Sequence, residues 1–160
     1  MGVAGCGKTT VGKSLASRLA WQFHDADDYH SLENKRKMSY GIALTDNDRL
    51  PWLDKLAELI YGASQNKTSM VLACSALKQE YRDRLLSRLT STDTLKWIYL
   101  KVEKSVVFER LARRTGHYFK AHMVDSQFMT LEEPDISASI HVDANTAVDD
   151  IVSLTVANIK

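Results

Sequence analysis

The sequence is poor in several features that mark specialised protein classes. Of its 160 residues two are cysteine and two are proline, and no apolar run approaches the roughly 18 residues that a membrane-spanning helix needs. So few cysteines do not make a disulfide scaffold and indicate a reducing compartment. The first residues lack the charged and apolar regions of a signal peptide, so the sequence predicts a cytoplasmic protein that has no membrane partner.

Charge of one sign is also scarce. The formal net charge is +1, and 26% of the residues are charged. No basic block interleaved with aromatic residues is present, so a nucleic-acid partner is not predicted, whereas a local cluster of cations can still hold a small anion. Linkers, low-complexity tracts and internal repeats are lacking too, which predicts a single domain over residues 1–160.

Short apolar runs alternate with helical periodicity along the chain. The predicted strands are residues 22–27, 69–74, 95–102 and 139–142. Helical periodicity follows residue 8 and recurs at 53–61, 106–112 and 148–159. This alternation predicts an α/β fold with a doubly wound, mostly parallel sheet. Ligands of such folds bind at the carboxyl ends of the strands, so the polar residues that close the strands are candidates for function.

One glycine-rich segment fits the pattern G-x-x-x-x-G-K-[ST] at every fixed position. Its residues, with the first that follows, are Gly2, Val3, Ala4, Gly5, Cys6, Gly7, Lys8, Thr9 and Thr10. Backbone N–H groups can wrap a phosphate only where no side chain blocks the approach, which explains the glycines. We therefore expect these residues to bind ATP, with Lys8 on the β and γ phosphates and the Thr9 hydroxyl on Mg²⁺. The alternative is a glycine-rich turn that caps a helix.

A phosphate loop of this kind should follow a buried strand, and only Met1 precedes Gly2 in the sequence. Two interpretations stay open. One interpretation is that the sheet lacks its first, central strand. Its neighbours then lose ladder hydrogen bonds and apolar contacts, and this interpretation predicts a shortened, catalytically silent nucleotide-binding protein. In the second, the loop is held by other means.

Further motifs follow the loop, at residues 25–30, 45–53, 74–78, 81–83, 116–120, 126–128 and 131–134. In this order they resemble the gluconate kinase family of P-loop small-molecule kinases, except that Ser31 and Ala43 stand where the family usually has proline. The resemblance implies a P-loop kinase fold with a substrate-side segment at about 29–60, a mobile lid at about 110–134 and, by resemblance only, a homodimer. It also implies that ATP and Mg²⁺ serve to phosphorylate the 6-hydroxyl of D-gluconate. Shikimate and nucleotide kinases share the loop and the lid and remain alternatives.

Several residues of these motifs are candidates for the site. Asp27 is expected to orient the attacking hydroxyl and accept its proton, or to hold Mg²⁺ through water. The alternative is that Asp27 caps a helix. This alternative is stronger for Asp48, which stands at a natural helix start. Arg49 is the expected clamp for the C1 carboxylate of gluconate. Lys78 and Arg82 are one helical turn apart and are expected to face the same anion, unless they belong to a solvated helix face.

The lid segment adds the last candidates. Arg110 and Arg114 share a helix face and are expected to contact ATP and neutralise the transferring phosphoryl group, while a salt-bridged surface helix is the alternative. His117 is expected at the substrate or in lid packing, and its spacing from His122 excludes a zinc site. The predicted catalytic residues are therefore Lys8, Asp27 and Arg114.

Overall fold

A computed structural model of the chain describes residues 1–90, 94–113 and 121–159. The strands are β1 (Gln22–Asp25), β2 (Met70–Ala73), β3 (Trp97–Lys101) and β4 (Ser139–Asp143). The helices are α1 (Lys8–Leu19), α2 (Leu32–Ser39), α3 (Asp46–Gln65), α4 (Gln79–Leu86), α5 (Lys104–Ala112), α6 (Ala121–Thr130) and α7 (Val148–Asn158). All four predicted strands are present. The first is two residues shorter than predicted, because a 3₁₀ helix (Ala26–Tyr29) follows β1 directly.

The strands form two parallel pairs. Gln22 of β1 lies opposite Met70 of β2, and Trp97 of β3 lies opposite Ser139 of β4. Parallel strands connected through helices define an α/β architecture, so this part of the prediction is confirmed. Across the described residues no strand ladder joins the two pairs.

Met1 and Gly2 lie between the two strand pairs. The amino group of Met1 donates to the Ile98 carbonyl, and the Leu100 N–H donates to the Met1 carbonyl at 3.0 Å. On the other side, the Gly2 N–H donates to the carbonyl of Ser75, beyond the end of β2, at 3.2 Å. These bonds anchor the start of the phosphate loop, as the interpretation that the loop is held by other means requires. The missing first strand stays a prediction.

Two apolar clusters form the core. One packs α1, β3, α5 and α7 together through residues such as Val11, Val107 and Ile151. The other packs α3 against α4 and the 3₁₀ helix around Trp52 and Leu53. Two separate clusters are what helices on both faces of a parallel sheet produce. In the described part of the chain, no helix is both long enough and apolar enough to span a membrane.

Candidate active site

The phosphate loop leads directly into α1. Gly7 precedes the helix with a φ of 107°, in the left-handed region that side chains rarely adopt. A Cβ added at Gly7 would meet nothing within 4 Å, so the backbone conformation, and not crowding, requires glycine here. No side chain caps the start of α1. Its first N–H groups, at the positive end of the helix dipole, are therefore available to an anion.

Two side chains bind the backbone of the loop. The Lys8 ammonium folds back and donates to the Val3 carbonyl at 2.9 Å. Gln127 of α6 accepts a hydrogen bond from the Ala4 N–H at 2.6 Å. Lys8 therefore lies over the loop, where a cation can reach bound phosphates. Gln127 was not predicted as a site residue, although it belongs to one of the motifs that carry the family resemblance.

Thr9 faces the carboxyl end of β1. Its hydroxyl donates to Oδ2 of Asp25 at 2.8 Å, and Oδ1 of Asp25 accepts the Asp27 N–H at 3.2 Å. Asp25 is thus the cap of the 3₁₀ helix, a role that the sequence had offered to Asp27 as its alternative. Hydroxyl and carboxylate oxygens are ligands that magnesium prefers, and here Asp25, not Asp27, contacts Thr9. Sequence reasoning missed Asp25 because it extended β1 by two residues.

The carboxyl group of Asp27 lies among four charged neighbours, Lys8, Asp25, Asp28 and Lys35. Although the residue as a whole is exposed, the protein atoms around its carboxyl group remove water and raise its pKa above the usual value. The positive charge of Lys8 opposes this shift, and the charges of Asp25 and Asp28 add to it. Asp27 and Lys8 are therefore close enough to interact electrostatically, which the predicted catalytic role requires.

Asp48 and Thr45 form a capping box at the start of α3. The Asp48 N–H donates to the Thr45 hydroxyl at 3.2 Å, and the Thr45 N–H donates to Oδ2 of Asp48 at 2.9 Å. Lys37 of α2 reaches Oδ1 of Asp48 at 2.7 Å. The bond from Lys37 and then those from Thr45 lower the pKa of Asp48 to about 2. The helix-cap interpretation of Asp48 is confirmed.

Replacing Thr45 by alanine is expected to lower the free energy of unfolding by about 1 kcal/mol, because α3 loses its capping hydroxyl. Thr45→Ser should keep most of the stability.

Asp48 adds a pH dependence to the stability. Its pKa of about 2 in the folded protein lies below an unfolded value of about 3.9, so its stabilisation is complete above the unfolded value and is lost as the pH falls through about 2. Urea unfolding across this pH range measures the effect of the Thr45 variants and the effect of pH. Equal stability of the Thr45→Ala and Thr45→Ser variants would contradict the capping role of the Thr45 hydroxyl.

The substrate-side cations meet at Tyr81. The Lys78 ammonium lies 5.3 Å and the Arg49 guanidinium 5.8 Å from the centre of the Tyr81 ring. Asp46 accepts hydrogen bonds from Lys78 at 2.7 and 2.9 Å and a further one from the Tyr81 hydroxyl. Within the described residues, the guanidinium of Arg49 donates one long bond of 3.3 Å, to the Leu44 carbonyl. Two predicted substrate cations are thus brought together, with Asp46 as an unpredicted partner of one of them.

The guanidinium of Arg82, which was expected to face the same anion as Lys78, bonds to backbone carbonyls. Its side chain points into the protein, and the residue is 2% exposed. The guanidinium donates to the carbonyls of Ala76, Leu77 and Glu132 at 3.0, 3.3 and 3.0 Å. The structure therefore corrects the solvated-face interpretation, because Arg82 is buried, and the predicted substrate-binding role of Arg82 stays a prediction. It ties the segment after β2 to the segment after α6.

Replacing Arg82 by methionine is expected to lower the free energy of unfolding by about 2–4 kcal/mol, because several buried carbonyls lose their donor. Arg84→Met is the matched control on the same helix. Arg84 pairs with Asp54 at 2.7 Å on a half-exposed surface, and such pairs contribute about 1 kcal/mol or less. Thermal and urea unfolding measure the difference. A variant with a raised KM for the acceptor and normal stability would instead favour the substrate-binding role.

Arg110 of α5 also contacts the phosphate loop. It donates to the Cys6 carbonyl at 3.3 Å, the Ala144 carbonyl at 2.7 Å and the Asn145 side chain at 3.2 Å. A guanidinium therefore lies beside the phosphate loop, as a nucleotide-binding role needs. Arg114 and His117 lie outside the described residues, so their predicted catalytic, ATP-binding and substrate-binding roles stay predictions.

His30 is a buried residue of this region to which sequence reasoning gave no role. Its ring stacks on Trp52 with 4.3 Å between centres and 12° between planes. Burial, with the nearby charge of Arg49 second, lowers the pKa of His30 to about 4, so the ring is neutral at pH 7. The only earlier signal was its place in the 25–30 motif. His30 and Trp52 thus support the segment that leads from β1 towards Arg49.

Comparisons with known proteins show which families the chain resembles. The family model described as shikimate kinase matches residues 4–155. A probable gluconokinase of Xenopus tropicalis is 43% identical over 96% of this chain and 87% of its own length. The thermoresistant gluconokinase of Escherichia coli (strain K12) is 38% identical over 100% of this chain and 91% of its own.

Solved structures show the same likeness. The crystal structure of a gluconokinase from Sinorhizobium meliloti 1021 superposes with a TM-score of 0.87, at 37% identity, over 99% of this chain and 88% of that one. A shikimate kinase from Aquifex aeolicus, at 17% identity and a TM-score of 0.55, shares the fold alone. The chain therefore belongs to the gluconokinase family of shikimate kinase-like P-loop kinases.

Proposed function

We propose that the chain transfers the γ-phosphoryl group of ATP to the 6-hydroxyl of D-gluconate, giving ADP and 6-phosphogluconate. The observation that carries the proposal is the arrangement of Lys8 over the phosphate loop, Thr9 against Asp25, and Asp27 within electrostatic reach of Lys8. It supports phosphoryl transfer because that chemistry needs alignment and charge neutralisation more than covalent help. The gluconokinases among the relatives supply the acceptor.

In the proposed reaction the chain positions two substrates and moves one proton. The loop N–H groups and Lys8 hold the β and γ phosphates, and Arg110 is beside the loop at Cys6. The 6-hydroxyl oxygen forms a bond to the γ phosphorus while the bond from that phosphorus to the β,γ-bridging oxygen breaks, and ADP keeps the electron pair. The carboxylate of Asp27 accepts the hydroxyl proton.

Magnesium fits the oxygen groups at the end of β1. In the described residues no cluster of three or more His, Cys, Asp or Glu side chains could hold a metal ion, so the ion would depend on the nucleotide as well. We expect the Thr9 hydroxyl and phosphate oxygens to bind it, with Asp25 or Asp27 acting through water. When bound, Mg²⁺ neutralises charge on the β and γ phosphates.

A coupled assay that follows ADP release tests the proposal. The acceptors are D-gluconate, glucose, shikimate and a nucleoside monophosphate, each with ATP and Mg²⁺. We expect turnover with gluconate and at least a hundredfold lower kcat/KM with the others, since only gluconate offers a primary hydroxyl and a carboxylate at the two ends of an open chain. Turnover of shikimate or a nucleotide without gluconate would overturn the acceptor, and no turnover at all would favour the catalytically silent alternative.

Replacing Arg49 by methionine is expected to raise the KM for gluconate about tenfold or more while changing kcat much less, because a bidentate guanidinium–carboxylate contact fixes the acceptor. Arg36→Met is the matched control. The Arg36 guanidinium, on α2, lies 5.9 Å from the centre of the Tyr40 ring. Steady-state kinetics with gluconate varied at saturating ATP measures the effect. An unchanged KM would show that Arg49 does not clamp the carboxylate.

Cytoplasmic location and a homodimer are part of the same proposal. Both rest on the sequence and the family resemblance. Size-exclusion chromatography with light scattering gives the mass directly, and a mass near the 18.0 kDa of one chain would exclude the dimer. Fractionation of cells that express the protein tests the location.

A further inference from the structure

A carboxylate of the chain itself occupies the place where the substrate-side cations meet. Asp46 accepts two hydrogen bonds from the Lys78 ammonium, at 2.7 and 2.9 Å, and a third from the Tyr81 hydroxyl. The bond from Lys78 is the largest cause of the lowered pKa of Asp46; the bond from Tyr81 is the second, and the charge of Arg49 acts in the same direction. The cations expected to hold an acceptor therefore already stabilise an internal carboxylate.

The charges of this cluster cancel. Lys78 and Arg49 each carry one positive charge. Asp46 balances one of them, and Glu80, whose carboxylate lies 3.3 Å from the Lys78 ammonium, balances the other. A second carboxylate placed beside Asp46 therefore meets no net attraction, and two like charges side by side repel each other. When Asp46 withdraws, the cluster has one net positive charge, which attracts an anion.

Asp46 can leave the cluster while the fold around it stays intact. Its side chain is 54% exposed, whereas that of Lys78 is 25% exposed, so rotation about the side-chain bonds of Asp46 carries its carboxylate into water. The capping box at the start of α3 consists of Thr45 and Asp48, and it does not include Asp46. An ion pair with a partner this exposed shifts an equilibrium by about fivefold or less, which a bound ligand can reverse.

We propose that Asp46 is an internal competitor for the carboxylate of the acceptor. In the free protein it holds the Lys78 ammonium and the Tyr81 hydroxyl; when the acceptor binds, the acceptor's carboxylate takes these donors and Asp46 turns into water. This exchange rests on the proposed function, which supplies an acceptor with a carboxylate. Arg49, whose guanidinium donates one long bond within the described part of the chain, has further N–H groups for the incoming carboxylate.

The exchange affects both selectivity and product release. A ligand that offers only a carboxylate replaces one ion pair by another, so tight binding also requires contacts along the rest of the acceptor. The product has the same carboxylate as the acceptor, and the return of Asp46 to Lys78 therefore assists its release. For both ligands, the apparent affinity is lowered by the fraction of the protein in which Asp46 has left the cluster.

Calorimetric titrations of the full chain with D-gluconate and with 6-phosphogluconate, both without ATP, test the exchange. Asp46→Asn keeps the size of the side chain and removes its charge. We expect the Kd for each ligand to fall about fivefold, because the competing carboxylate is gone. Asp54→Asn is the matched control on α3, where Asp54 pairs with Arg84 at 2.7 Å, and it should leave both Kd values unchanged. An unchanged or raised Kd in Asp46→Asn, or a gain for one ligand alone, would overturn the proposal.

A crystal structure of the parent chain with D-gluconate shows the exchange directly. We expect the gluconate carboxylate within hydrogen-bond distance of the Lys78 ammonium and the Asp46 carboxylate beyond it; a complex in which Asp46 keeps Lys78 would overturn the proposal. The outcomes also separate the two proposals. A parent chain that neither binds nor phosphorylates gluconate sinks the proposed function and the exchange with it. If the parent does both and Asp46→Asn binds gluconate no more tightly, the exchange alone fails.

Discussion

Lys8→Met is expected to lower kcat/KM for phosphoryl transfer by about 10²–10³-fold, the loss typical of removing one group that stabilises developing charge. The Lys8 ammonium lies over the phosphate loop and donates to the Val3 carbonyl at 2.9 Å. It is close enough to Asp27 for its charge to oppose the rise that burial causes in the pKa of that carboxyl group. Methionine keeps the apolar part of the side chain and removes the charge, so the loss measures electrostatics more than packing.

Lys13→Met is the matched control. Lys13 is on the same helix, is exposed, and lies 5.8 Å from the centre of the Phe23 ring. We expect its kcat/KM to stay within about threefold of the parent, since it donates nothing to the loop. Circular dichroism and thermal unfolding should show both variants folded. A Lys8→Met protein that turns over gluconate at the parent rate would contradict the proposed role of the loop.

The phosphate loop could be predicted from the sequence because its determinants are consecutive. Gly7, Lys8 and Thr9 follow one another, and the geometry they need is set by one φ angle and the start of one helix. The capping box of Thr45 and Asp48 was predictable for the same reason, since its partners are three residues apart. Local hydrogen bonding fixes both features before any tertiary contact is made.

Contacts between distant segments were not predictable in this way. The partner of Lys78 is Asp46, 32 residues away, and one carbonyl held by Arg82 belongs to Glu132, 50 residues away. Spacing of four placed Lys78 and Arg82 near each other on a helix. It could not show that Arg82 points inward while Lys78 points outward, because that depends on which segments pack against α4.

The boundary of β1 shows how a small local error moves a functional assignment. The run from Gln22 to Asp27 contains two acidic residues, Asp25 and Asp27, that suit a strand end, and periodicity cannot say where the strand stops. The 3₁₀ helix begins at Ala26, so Asp25 closes the strand and reaches Thr9, while Asp27 lies within electrostatic range of Lys8. Two aspartates therefore divide roles that sequence reasoning had given to one.

Asp27→Asn is expected to lower kcat about 10²-fold or more, the range found for removal of a positioned general base. The partly dehydrated carboxyl group, whose pKa is raised above the usual value, is a better proton acceptor than an ordinary aspartate. Asparagine has nearly the same shape and cannot accept the proton of the attacking hydroxyl. A loss confined to KM, with kcat retained, would instead assign Asp27 to positioning.

The pH profile separates these two roles further. In the parent, kcat/KM should rise with pH as Asp27 loses its proton, and the raised pKa moves this limb above the pH at which an ordinary carboxyl group, of pKa about 3.9, titrates. Asp27→Asn should remove the limb, whereas Asp28→Asn, at the exposed neighbouring residue, should keep it. Because the raised pKa arises mainly from burial and is opposed by Lys8, Lys8→Met should shift the limb to still higher pH. A limb that stays in place in that variant would mean that the two side chains act independently.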